Sequence, residues 1–190
     1  MIIWITGTPG VGKTTIGKMI AKLYRYRCID LPEFVTQTGV GEVKPDGIVV
    51  DVRKLRGTLA RMVEDDTVFS GHIVVKLPGR RQKCIVLRCN PLKLANRLRR
   101  RGYSSDKVVE NVEAEFVGVV YLDAVKQFGH RNVVQVDVTK KTVSETVRYC
   151  REILDGKVVG DKVDWLTDLD EKELDQVLSL LARPISRQML

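Results

Sequence analysis

Gly7-Thr8-Pro9-Gly10-Val11-Gly12-Lys13-Thr14, with Thr15 behind it, follows the apolar run Ile2-Ile3-Trp4-Ile5 and precedes a helical pattern at Ile16, Met19, Ile20 and Leu23. The octet matches G-x-x-x-x-G-K-[ST], and the strand before it and helix after it are the context that this motif requires. Glycines at both ends let the backbone wrap tightly enough for successive N–H groups to point at one phosphate. The helix beginning near Lys13 aims its positive end at the same place. In that arrangement Lys13 bridges the β- and γ-phosphates and the Thr14 hydroxyl ligates Mg²⁺. The chain is therefore expected to bind a nucleoside triphosphate.

The 190 residues, 44% hydrophobic, suit one compact domain with a full core. No stretch approaches the length of a membrane span, and the chain enters its first strand without a basic leader, so a soluble, cytoplasmic protein with no membrane partner is expected. Cys28, Cys84, Cys89 and Cys150 form no C-x-x-C pair. That spacing argues against zinc and against a disulfide framework, and for reduced, mostly buried thiols. The net charge of +8 is uneven: Lys76 to Arg101 holds ten of the 32 cations and none of the 24 acids, leaving the rest of the chain at −2. This block is a candidate phosphate-facing surface, against the alternative of a solvated basic face.

Along the chain, Arg27-Cys28-Ile29-Asp30 reads as a second strand ending in an acid. Leu31 to Val50, with Pro32, Gly39, Gly41, Pro45 and Gly47, reads as an insertion of short helices and turns. Asp51 can cap a helix carrying Val52, Leu55, Leu59, Met62 and Val63 on one face, and Thr67 to Ser70 is the third strand. Cys84 to Cys89 is a buried fourth strand, followed by a helix that Asn90-Pro91 opens and Gly102 stops. Ser104 or Ser105 opens a helix with a stripe of Val109, Val112, Phe116, Val119 and Val120 running towards Gly129. The fifth strand spans Asn132 to Val138, and helices follow over roughly 143–154 and 170–182. Strands alternating with helices specify a three-layer α/β fold, a five-stranded, mainly parallel sheet with helices on both faces. Ligands in such sheets sit at the carboxyl ends of the strands, which gathers Gly7, Asp30, Ser70, the Asn90 turn and Val138 on one edge.

A guanine-switch protein would carry Asp-x-x-Gly and Asn-Lys-x-Asp, and the sequence has neither. A small-substrate kinase instead needs an acceptor pocket after the second strand and arginines that close over the transferring phosphoryl group. Both requirements find candidates here. The phosphate loop, the Gly71-His72 turn followed by Leu77-Pro78, and the segment from Val86-Leu87-Arg88 through Arg97-Leu98 and Arg101-Gly102-Tyr103 to Glu110-Asn111-Val112-Glu113 resemble the atypical adenylate kinases linked to small-ribosomal-subunit maturation. The resemblance covers roughly residues 1–155, and Arg-Gly-Tyr followed by Glu-Asn-Val-Glu-Ala-Glu is far more specific than the phosphate loop alone.

That resemblance implies a P-loop NTPase fold, with a nucleoside-monophosphate-binding insertion over about 30–53, a short lid over about 100–110 and a helical extension over about 156–190, all within one domain. It implies ATP and Mg²⁺, with AMP or another nucleoside monophosphate as acceptor. Possible ATPase activity, a small-subunit ribosomal protein and pre-rRNA as partners, and work in the nucleus where relatives have one, belong to the same implication. Carried over by position, Gly10, Val11, Gly12, Lys13, Thr14 and Thr15 hold the ATP phosphates, and Thr14 ligates the metal. Arg101 is the lid arginine, with Arg97 one turn earlier, and Lys140 in Thr139-Lys140-Lys141 meets the adenine edge. Asp30, Asp51 and Arg53 are assigned to the acceptor, although Asp51 could serve only as a helix cap and Arg53 could lie in solvent. His72 is either catalytic or a backbone-bonded turn residue. Ser70 is the departure: close relatives carry an Asp at that strand end, and a serine brings no negative charge to metal-bound water. The leading reading is ATP + AMP ⇌ 2 ADP, against an ATP-driven assembly factor or a kinase for another small metabolite.

Overall fold

The computed structural model describes residues 1–44 and 47–182. Strand β1 (Ile2–Gly7) is buried throughout, and its side chains alternate between two cores: Ile3 and Ile5 join one, Ile2 and Trp4 the other. A strand covered on both faces has no polar side, so its sequence is an unbroken apolar run. Helix α1 (Lys13–Tyr24) buries Ile16, Gly17, Ile20 and Ala21. Met19 and Leu23, expected on that face, are instead 39% and 45% exposed, because the small Gly17 and Ala21 occupy the buried positions.

Strand β2 (Arg27–Asp30) leads into α2 (Leu31–Thr38) and then an antiparallel hairpin, β3 (Gly41–Lys44) with β4 (Gly47–Val50). The insertion therefore contains a hairpin where only short helices and turns are expected; Pro45, read as a turn residue, lies outside the described residues. Helix α3 (Val52–Met62) begins at Asp51, whose Oδ1 accepts from the Arg53 and Lys54 amides at 2.9 and 3.1 Å. Leu55, Leu59 and Val63 are buried there, whereas Val52 and Met62 are exposed. Strand β5 (Thr67–Ser70) follows, and an irregular stretch that buries Val74, Val75 and Leu77 connects it to β6 (Gln82–Arg88).

Asn90 caps α4 (Pro91–Arg100), accepting from the Leu92 and Lys93 amides, and Leu94, Ala95 and Leu98 face inward. Ser104 caps α5 (Ser105–Val117). The single helix expected to reach Gly129 is two: Gly118, at φ 78°, donates to the carbonyls of Ala114 and Glu115 and ends α5 before α6 (Val119–Phe128). A left-handed glycine closing the last turn is a common helix stop. Strand β7 (Val133–Asp137) and α7 (Val143–Leu154) match expectation, and α7 opens with a capping box between Thr142 and Glu145. A short α8 (Trp165–Asp168), not anticipated, precedes α9 (Glu171–Leu181), which packs against α4 and α5. Residues 183–190 of the expected helical extension lie outside the described residues.

The main sheet has the order β2-β5-β1-β6-β7, every pairing parallel. One core joins residues of α1, α4, α5 and α7 to one face, and the other joins α2, α3 and α6 to the opposite face, which makes three layers. No helix among the described residues is long and apolar enough to cross a membrane. The basic block is not one surface. Arg80, Arg81 and Lys83 precede or begin β6 and so fall at the amino edge of the sheet, while Arg88 is buried. Only its later members, on α4 and just beyond, reach the carboxyl edge where β1 delivers the phosphate loop.

Candidate active site

The loop from Gly7 to Gly12 joins the carboxyl end of β1 to the first turn of α1. Gly7 is at φ 142°, and a Cβ there would lie 2.4 Å from the Leu87 carbonyl oxygen of the neighbouring strand, so no side chain fits. Gly12 has open space around it but caps α1 at φ 107°, a conformation costly to any L-residue with a side chain. Lys13 folds back over the loop and donates from Nζ to the Thr8 carbonyl at 3.0 Å. Burial lowers its pKa to about 8, the Arg101 guanidinium adding to the effect while Asp30 and Glu115 oppose it. An ammonium held this short of solvation gains strongly from an arriving phosphate.

Two cavities flank this loop. One, of about 350 Å³, is lined by Lys13, Thr14, Asp30, Ser70 and His72, with an apolar wall from Leu31, Val35, Val50, Leu55 and Ile73. The other, of about 230 Å³, is lined by Val11, Gly12, Thr15, Arg97, Val138 and Lys141. Gly10 and Arg101 are the residues common to both. Arg101, the C-cap of α4, thus stands where the two cavities meet, with Arg97 one turn back on the second side only. A larger cavity of about 640 Å³ between α4 and α9 includes no residue of the phosphate loop.

The remaining expected residues divide. Asp30 Oδ2 accepts from the Thr14 hydroxyl at 2.9 Å and from the Ser70 hydroxyl at 3.2 Å, so all three meet at the mouth of the loop. His72 lines the first cavity, and desolvation with the nearby Lys13 charge lowers its pKa below the ordinary imidazole value. Asp51 and Arg53 do not line either cavity; Asp51 is engaged as the cap of α3 and Arg53 is exposed. Lys141 lines the second cavity, whereas Lys140 is exposed and lines a neighbouring one with Asn90, Asp137 and Asp161.

Sequence reasoning met Glu115 only as the last residue of Glu-Asn-Val-Glu-Ala-Glu and gave it no role. Its carboxylate, 1% exposed in the middle of the molecule, accepts from the Thr8 hydroxyl at 2.6 Å, Arg88 Nε at 2.8 Å, the Cys89 amide at 3.1 Å and Trp165 Nε1 at 3.0 Å. Arg88 also donates to the Glu115 carbonyl at 2.8 Å and to Gln135. One side chain on α5 therefore ties the phosphate loop to β6 and to α8. The available signal was an acid on a helix face otherwise lined by valines, opposite an arginine within an apolar strand.

A phosphate loop at the carboxyl edge of a five-stranded parallel sheet, with a lysine inside and an arginine spanning two cavities, is the framework of a P-loop phosphotransferase. The comparisons agree. Residues 3–118 match the family described as "AAA domain". The chain is 39% identical over 175 residues, 90% of this chain and 94% of the other, to a Pyrococcus furiosus protein named "Putative adenylate kinase". It is 41% identical over 177 residues to a Thermococcus kodakarensis protein of the same name, covering 90% of this chain and 96% of that one. Among solved structures, shikimate kinase from Bacteroides thetaiotaomicron shares the fold with a TM-score of 0.55 at 20% identity, over 82% of this chain and 98% of that one. The chain belongs to the same family as these archaeal proteins, within the P-loop nucleoside-monophosphate kinase superfamily, and is a phosphotransferase.

Proposed function

We propose that this protein is an adenylate kinase that transfers the γ-phosphoryl group of ATP to AMP, giving two ADP. The observation that carries this reading is the pair of cavities meeting at Gly10 and Arg101. A hydrolase needs one nucleotide site and a water; a kinase needs two substrates facing each other across the phosphate loop. The cavity lined by Thr15, Arg97 and Lys141 takes the donor, and that lined by Asp30, Leu31 and Ile73 takes the acceptor. Its apolar wall suits the flat face of a base. Names of the relatives support adenylate as the acceptor, with ATP as donor.

Binding does most of the work. The monophosphate of the acceptor is already an anion at neutral pH, so its oxygen can attack the γ-phosphorus in line without a general base, and the bond to the β-phosphate oxygen breaks to release ADP. What the protein must supply is alignment and positive charge around the transferring group. Backbone amides from Gly10 to Thr14 and the Lys13 ammonium hold the β- and γ-phosphates, and Arg101 neutralises the charge that develops between the two substrates. Arg53 follows Val50 and Asp51 into α3, and we assign it to the acceptor phosphate on closure of the insertion. The oxygen donors Thr14, Ser70 and Asp30 suit a hard cation, and magnesium bound with the nucleotide would neutralise phosphate charge.

ADP formation from ATP with a panel of monophosphates is the test. AMP should give ADP in twofold yield over ATP consumed, and Lys13→Ala should abolish transfer while leaving the fold intact. Hydrolysis of ATP indifferent to every monophosphate would overturn the kinase reading and move it to the ATP-hydrolysing assembly factor of the wider resemblance, with a ribosomal protein and pre-rRNA as partners.

A further inference from the structure

Strand β5 ends in Ser70 where an acid would ordinarily stand beside a phosphate loop, yet the carboxylate is not missing from the site. β2 pairs with β5 in parallel, and the register sets Asp30 directly beside Ser70. From there its Oδ2 reaches both the Ser70 hydroxyl, at 3.2 Å, and the hydroxyl of Thr14 in the first turn of α1, at 2.9 Å. We propose that Asp30 is the acidic ligand of the metal carried by the nucleotide, acting with the Thr14 and Ser70 hydroxyls, so that the charge has moved one strand sideways. This rests on the nucleotide-transfer reading above.

The backbone offers Asp30 a different task, which it declines. Asp30 stands at the N-cap of α2, and its side chain makes no capping hydrogen bond. At the other acidic or amide N-caps among the described residues, Asp51, Asn90, Asp164 and Asp170, the side chain accepts from an amide of the first turn. A capping bond is worth about 1 kcal/mol to a helix. At this one cap the carboxylate is turned instead onto the two hydroxyls that border the phosphate loop. Both hydroxyls bond Oδ2, and no hydrogen bond to Oδ1 is formed among the described residues.

The donor set fits magnesium, which takes oxygen ligands and commonly binds through one or two carboxylates together with substrate phosphates. One carboxylate and two hydroxyls are too little to retain the ion alone, and no group of three or more His, Cys, Asp or Glu able to hold a metal exists among the described residues. The ion is therefore expected to bind tightly only with the triphosphate. This assignment differs from an acceptor role for Asp30, which would leave the metal dependence of ATP binding untouched.

Calorimetric titration of a non-hydrolysable ATP analogue, with magnesium and with chelator, separates these roles in wild type, Asp30→Asn and the double variant Asp30→Asn/Ser70→Asp. Wild type should bind the analogue more tightly with metal than without. Asp30→Asn should lose that advantage by about 10-fold or more, since losing even a group that only orients a metal ligand costs about 10–100-fold. Its metal-free affinity should stay level or rise, because a negative charge next to the phosphates has gone. The double variant, which returns the carboxylate to the register neighbour, should recover metal dependence. Quenching of the free-manganese spin-resonance signal in the presence of the analogue should rank the three proteins in the same order. An Asp30→Asn protein that keeps the full metal advantage, or that keeps it while losing AMP affinity, overturns the assignment and leaves the kinase reading standing. A wild type that binds no analogue under either condition overturns both.

Discussion

Replacing Glu115 by Gln tests how much of this fold rests on one buried charge. The two side chains are the same size, and the amide oxygen can keep the three donors that bond Oε1, namely Arg88 Nε, the Cys89 amide and Trp165 Nε1. The amide nitrogen then faces Thr8, whose hydroxyl can turn round and accept. What is lost is the negative charge opposite an Arg88 that is 3% exposed. Removing one partner of a buried pair costs about 3–5 kcal/mol, because the remaining ion is left uncompensated. At about 2–4 °C per kcal/mol for a chain of this size, the melting temperature should fall by about 6–20 °C. Thermal and urea unfolding followed by circular dichroism give the number. Arg88→Met should restore part of the loss in the Glu115→Gln background, since it removes the orphaned charge. A Glu115→Gln protein within about 1 kcal/mol of wild type, or strictly additive Arg88 and Glu115 substitutions, would refute the reasoning. Thr8 also presents the carbonyl that holds Lys13, so ATP affinity should fall together with stability.

Lys13, with its pKa lowered to about 8, should make the ATP affinity of the free protein nearly level below pH 8 and falling up to tenfold per pH unit above it, as calorimetry would register. For stability the sign is opposite: between pH 8 and 10.5 the unfolded chain holds the proton that the folded one has shed, so this group's contribution rises across that window. Arg101→Ala should lower turnover by on the order of 10³ with a smaller change in ATP affinity, whereas Arg100→Ala, outside both cavities, should stay near wild type in steady-state assays. A bisubstrate analogue joining two adenosines through five phosphates should raise amide protection over α2 and the hairpin more than over α5; the reverse order in hydrogen exchange would assign closure to the wrong element.

The elements that the sequence announced are those with local signals. β1, α1 and the loop between them carry a motif, and α4 opens at Asn90, which accepts as expected; α7 and α9 open at Thr142 and Asp170, caps that the sequence reading did not single out. The misreadings arise where the decisive contact is distant. Met19 and Leu23 have the right spacing for a buried stripe, but the sheet takes the smaller Gly17 and Ala21, a choice made by packing distance rather than periodicity. The break at Gly118 stands inside an apolar pattern that continues on both sides, so periodicity carries across it. Asp30 and Ser70 are 40 residues apart, and only strand register makes them one site. Glu115 was hidden for the same reason, since its partners come from the phosphate loop, β6, its adjoining residue Cys89 and α8.

These distant contacts change what the segment around Arg101 can do. A lid that swings needs a span of chain free of the core, but α4 buries Leu94, Ala95 and Leu98, and α5 buries Val108, Val109, Val112 and Glu115. Between them Arg101 to Ser104 is all that is left outside a helix. Through Glu115, α5 is bonded to Thr8, so the helix that follows the Arg101 to Ser104 connection is tied to the phosphate loop. With both flanking helices anchored, Arg101 is expected to stand near its working position before substrate arrives, so that little reorganisation is spent on it during transfer. Excluding water is a separate requirement, and it falls to the insertion, which contributes Leu31, Phe34 and Val35 to the core and Val50 to the wall of the acceptor cavity. Under the proposed transfer to AMP, ATP bound alone would leave the acceptor cavity open to solvent, and the acceptor that fills it would also keep water from taking its part.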